Sequence, residues 1–155
     1  MIFTENNHLV KGLDPVADAF AGTVYSDVVN MQNFGQAIFV IIKGVGATGT
    51  STVTVEACDD TSGSNVTAIP FRYVAVLSGD TTGTLTDATT SGFTTTAGSS
   101  QRYVVMADAE AMAGTDYSYL RLKCVEVVDS PVLGGIETWL SEPRHASKSI
   151  ATAIV

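Results

Sequence analysis

Apolar and polar residues alternate with period two along much of the chain, the spacing of strands with one buried face. In residues 49–58, Val53, Val55 and Ala57 share one face, while Thr52, Thr54 and Glu56 share the other. Residues 117–128 repeat the pattern, with Leu120, Leu122 and Cys124 opposite Tyr119, Arg121 and Lys123. Residues 36–43 are apolar on both faces, which predicts a central strand covered on both sides. Further strands are expected over 23–31, 68–77, 102–107 and 132–140. In 68–77, Ile69, Phe71, Tyr73 and Leu77 share a face, and Pro70, lacking an N–H, pushes the segment towards an edge or a bulge.

The intervening stretches read differently. Residues 59–65 form a polar turn, and 78–101 a long loop or weak hairpin with Leu85 and Phe93 as its large apolar anchors. One short helix is expected at 108–113, started by Asp108 and stopped by Gly114. Residues 1–22 hold no sustained period and are expected as an extended arm with one helical turn at 16–20. The fold class that follows is all-β: one β-sandwich or jelly-roll-like domain over 23–145, with about seven or eight antiparallel strands. Arms 1–22 and 146–155 flank it. Ile38, Val40, Val53, Val55, Leu120 and Leu122 are the expected core.

Composition strengthens this picture. Twenty Thr, nineteen Val and fourteen Gly in 155 residues favour pleated strands joined by tight turns. The length suits one domain. Eight basic against sixteen acidic residues, a net charge of −8, leave no broad basic footprint, so nucleic acid is not an expected partner. No apolar run approaches the roughly 18 residues of a membrane span. The start of the chain lacks a basic region followed by an apolar one, so synthesis in a cytoplasm is expected. Cys58 and Cys124 both fall in strand-like runs and are expected as two separate buried thiols.

Candidate chemistry is thin. Gly44, Gly46 and Gly49 match G-x-G-x-x-G after a strand, but a dinucleotide site needs a helix to open there. Here Thr50, Thr52, Val53 and Val55 continue as strand, so a hairpin loop between antiparallel strands is expected, binding no nucleotide. Asp59 and Asp60 begin a calcium-like run, yet the twelfth position falls on Pro70 or Phe71 rather than a carboxylate. Only His8 and His145 are present, one in each terminal segment, which supports neither a zinc site nor a Ser–His–Asp triad. No catalytic residue, cofactor or metal is expected, and the chain is read as a non-enzyme.

Several segments together resemble a group of tailed-bacteriophage structural proteins. They are residues 33–41 (Asn-Phe-Gly-Gln-Ala-Ile-Phe-Val-Ile), 46–50 (Gly-Ala-Thr-Gly-Thr), 53–59 (Val-Thr-Val-Glu-Ala-Cys-Asp) and 68–73 (Ala-Ile-Pro-Phe-Arg-Tyr). Residues 91–94, 119–123, 129–134 and 140–144 fit the same pattern, so the likeness covers roughly 23–145. The resemblance implies a virion component, and more finely a head decoration or cement protein on the capsid surface. Its partners would be the major capsid protein and further copies of itself, by analogy a trimer. A tail-tube or head–tail joining role is the structural alternative. A carbohydrate- or cell-surface-binding sandwich is the rival from another class.

The two termini are the candidate contact elements. Ile2, Phe3, Leu9, Val10 and Leu13 at one end, and Ile150, Ala153, Ile154 and Val155 at the other, are expected to dock on neighbouring subunits of a lattice. Repetition over many sites would add avidity to each weak contact.

Overall fold

β-branched and aromatic residues at every second position give two layers of antiparallel strands with their apolar sides facing each other. The computed structural model describes residues 3–46 and 48–144. Among these, one helical turn, α1 (Phe3–Asn6), precedes the strands β1 (Asn7–Val16), β2 (Thr23–Tyr25), β3 (Val29–Asn30), β4 (Phe34–Lys43), β5 (Thr50–Cys58) and β6 (Val66–Ile69). They are followed by β7 (Phe71–Val76), β8 (Thr86–Ala88), β9 (Phe93–Thr94), β10 (Gln101–Asp108), β11 (Tyr119–Val128) and β12 (Gly134–Pro143). The first sheet runs β1-β12-β4-β10-β7-β8 and the second β2-β11-β5-β6, with β3 on β11 and β9 on β5. The expected all-β sandwich is the observed fold.

Only β5–β6 and β7–β8 are chain neighbours that also pair, so most connections pass from one layer to the other. Pro70 sits at one such passage, between β6 in the second sheet and β7 in the first. Its missing N–H marks a change of layer rather than an edge within one continuous strand. The core lies between the sheets. Ala37, Phe39, Ile41, Tyr103, Val105, Ile136 and Leu140 come from the first, and Val53, Val55, Leu120, Leu122 and Cys124 from the second.

Four expectations change. Residues 7–16 are not part of an arm: β1 pairs with β12 from Asn7↔Ser141 to Val16↔Gly134, so the sandwich begins well before residue 23. Register shifts between Lys11 and Leu13, and again between Leu13 and Val16, break the period that would have marked it as a strand. On β4 the buried side is Ala37, Phe39 and Ile41, whereas Ile38 and Val40 stand on the opposite face, half-buried. The loop after β4 is no hairpin, because β4 and β5 lie in different sheets. Finally, the helix after β10 is one 3-10 turn (Ala109–Met112), and Asp108 does not cap it by a side-chain hydrogen bond. Its carboxylate instead accepts from Arg72 Nη2 and Gln36 Nε2, both at 2.7 Å. The expected arm 146–155 lies outside the described residues.

The sandwich is closed at one end by a buried polar cluster. Lys43 ends β4 on its inward side, and its ammonium donates to Gly49 O (3.0 Å), Thr96 O (2.7 Å) and Gln101 Oε1 (3.3 Å). Burial lowers its pKa. Tyr103 Oη donates to the same Gln101 oxygen at 3.1 Å and accepts from Thr96 N at 2.9 Å. These bonds pin the loop before β10 to the ends of the strands, so the polar groups are buried but satisfied. Of the two anchors expected in 78–101, Phe93 stacks on Tyr73 with centroids 3.8 Å apart, while Leu85 is exposed.

Cys58 and Cys124 are free, buried thiols, as expected. Burial raises Cys58 to about 11 and Cys124 to about 12. Well below pH 9, at about pH 7, both the folded and unfolded chains keep these protons. Above it the unfolded chain ionises first, so stability is lost as the pH rises from about 9 towards 11–12. Two results are expected: no reaction of the native protein with a thiol reagent at pH 8 while both thiols react in denaturant, and a lower urea midpoint at pH 10.5 than at pH 8.

Candidate interface on the outer face of the first sheet

The outward-pointing positions of the first sheet form rows across its strands. One row reads Leu9–Trp139–Ile38–Met106–Arg72–Asp87, from β1 to β8. The next reads Lys11–Glu137–Val40–Val104–Val74, and the next Gly135–Ile42–Arg102–Val76. Nine apolar side chains therefore form one block (Leu9, Trp139, Ile38, Met106, Val40, Val104, Val74, Ile42 and Val76). All are half-buried, apart from the exposed Leu9. A contiguous apolar patch on an outer surface marks an interaction site more often than a single exposed residue does.

The outer face of the second sheet is built differently, from hydroxyl and charged side chains paired with one another. Thr52, Thr54 and Glu56 of β5 stand beside Arg121, Lys123 and Val125 of β11. Glu56 accepts from Arg121 Nε at 2.8 Å and from Lys123 Nζ at 3.1 Å. The Arg121 guanidinium lies 4.0 Å over the ring of Tyr25. Both sheets bury apolar inner sides; the outer side of the first carries a continuous apolar block, whereas that of the second mixes Tyr25 and Val125 with charged and hydroxyl side chains.

Charge follows the same division. The paired outward positions of the first sheet include Lys11, Arg72 and Arg102 against Glu137, Asp87 and Asp108, a balanced set on a chain of net charge −8. Arg72 and Asp108 are bridged at 2.7 Å, and Lys11 is bridged to Asp14 at 2.8 Å. Arg102 has no carboxylate partner among the described residues; its Nη1 donates to Gln101 O at 3.1 Å and Lys43 O at 3.4 Å.

The expected contact residues divide across this geometry. Phe3, on α1, meets Trp139 edge-on at 5.3 Å and is 59% exposed, so it rises from the outer face. Leu9 belongs to the block itself. Val10 is buried in the core, and Leu13 packs partly against it, so neither is a free anchor. Ile2, Ile150, Ile154 and Val155 lie outside the described residues. Removing residues 1–15 takes most of a strand from the first sheet rather than an appendage. Beside β1, where Gly135 offers no side chain, a groove of about 340 Å³ opens between Leu13, Pro15, Ile42 and Glu137.

No protein-family model matches the chain, and no curated protein matches it. Among solved structures it is similar to the SPBc2 prophage-derived protein YomS, at 12% identity and a TM-score of 0.47, covering 88% of this chain and 94% of that one. It is also similar to a chain in the structure of infectious bursal disease virus Gx strain, at 12% identity and a TM-score of 0.25, covering 89% of this chain and 42% of that one.

The outer face is hidden in the sequence because an apolar run such as β4 predicts a strand covered on both sides. The residues were legible; the missing cover was not. Conventional site chemistry is sparse in the fold. Among the described residues no three His, Cys, Asp or Glu side chains gather as a metal site, and His8 lies stacked against Phe34 at 6.2 Å.

Proposed function

We propose that this chain is a non-enzymatic structural protein of a tailed-bacteriophage virion, and that it decorates the outer head lattice and steadies it against internal DNA pressure. The observation that carries the reading is the apolar outer face of the first sheet. Such a surface is costly on a free monomer and useful on a unit that assembles. The segments resembling phage structural proteins, from Asn33 to Arg144, supply the setting. They include most of β4, one of the two strands at the middle of that face, and both ends of β12 beside it.

The test is placement in particles. Heads prepared without this chain and then incubated with the purified protein should gain regular density on the outer lattice by cryo-electron microscopy. They should also withstand several degrees more heating before releasing DNA. Density confined to the tail tube, the head–tail joint or isolated surface spikes would replace the decoration reading with one of its rivals.

A further inference from the structure

We propose that a second copy of this chain covers the outer face of the first sheet, joining two molecules face to face about a two-fold axis that crosses the strands. The proposal deepens the assembly reading above by naming the partner of the same surface. It rests on that reading only in taking the face as an interface.

Two pairs of features on the face complement each other under this operation. The axis lays β10 over β10 with opposite direction. The end of β10 that carries Arg102, with no carboxylate of its own, thereby meets the end that carries Asp108. It likewise brings the Phe3–Trp139 corner of one copy over the groove between Leu13, Gly135 and Ile42 of the other, an exposed ring above an apolar hollow on the same patch. A protrusion and a matching hollow on one surface is the requirement of an isologous contact. The balanced charge of the face keeps the −8 of the whole chain from opposing approach on this side.

Size agrees as well. Six strands about 4.8 Å apart, with central strands about 27–34 Å long, give a footprint of roughly 650–800 Å², close to the roughly 800 Å² per partner of a standard stable interface. At the centre lie Val40 and Val104, side by side on β4 and β10.

Sedimentation equilibrium of the full chain tests this without any phage particle, so its outcome is independent of where the protein sits in a virion. The expected result is twice the chain mass of 16.2 kDa for the natural protein. Val104→Lys and, separately, Val40→Lys should weaken self-association at least 100-fold, with an unchanged far-UV spectrum. Arg102→Glu should weaken it about tenfold. Thr54→Lys, on the polar outer face of the second sheet, should leave it intact. A natural protein that stays monomeric at 100 µM would overturn the proposal and leave the face to the capsid or to the chain's own terminal segments. A trimer, or any oligomer indifferent to both lysine substitutions, would overturn it too.

Discussion

Gly46→Ala and Gly49→Ala are each expected to destabilise the protein by about 3 kcal/mol, lowering Tm by about 6–12 °C. A Cβ on Gly49 would stand 2.5 Å from both Ser130 O and Val132 Cγ2, and one on Gly46 would stand 2.6 Å from Pro131 O. Gly46 also has φ +137°, which side chains rarely adopt. Gly44 and Val45 run against the segment before β12, held by Gly44 N donating to Leu133 O at 2.6 Å and Leu133 N donating to Val45 O at 2.9 Å. The glycines of the G-x-G-x-x-G pattern serve this close backbone approach. Gly114→Ala, with nothing within 4 Å and an ordinary φ, is the control and should stay within about 0.5 kcal/mol. Urea midpoints of the three variants measure the difference. Millimolar NAD or ATP should leave the Tm of the natural protein unchanged, whereas a ligand at 100 times its Kd would add about 2.7 kcal/mol.

Glu56→Ala is expected to cost about 3 kcal/mol. The carboxylate is 7% exposed and holds Arg121 at 2.7 Å, itself 11% exposed, together with Lys123 at 3.1 Å. Truncation leaves two cations, one of them well buried, without a counter-charge, and that penalty exceeds the worth of the pair itself. Glu56→Gln keeps the volume and part of the hydrogen bonding, so about half the loss is expected. Because the pair is mostly shielded from solvent, the Glu56→Ala loss should change little between 50 and 500 mM salt, unlike that of an exposed pair such as Lys11–Asp14. Denaturant melts at both salt concentrations separate the two behaviours.

These residues also show what a single sequence reveals of such a fold. β5 and β11 were legible because Val53 and Val55, or Leu120 and Leu122, alternate with Thr, Glu, Arg and Lys; polarity alone tells the sides apart. In β4, both sides are apolar, so which side faces inward depends on its partners: Phe39 pairs with Val105 and Thr138 across the first sheet. β1 was hidden by its own irregularity, since Gly12, Pro15 and the two register shifts resemble loop chemistry. The glycine loop was legible as a loop, but its role needed the segment 130–133, more than eighty residues away, to be seen lying against it. The candidate interface needed all of these placements at once.

The uneven course of β1 has a further consequence for assembly. A smooth edge strand would invite another sheet to extend it, and repeated extension has no natural end. Here the edge is kinked twice, carries Pro15, and has Gly12 O already occupied by Asp27 N at 2.7 Å. The opposite edge, β8, is only three residues long. Growth by strand addition is therefore discouraged at both sides of the first sheet, which leaves its broad face for the association proposed above. The two-fold contact proposed for that face closes on itself and stops at a fixed number of copies, as the proposed place on a lattice requires, rather than running on into a fibre.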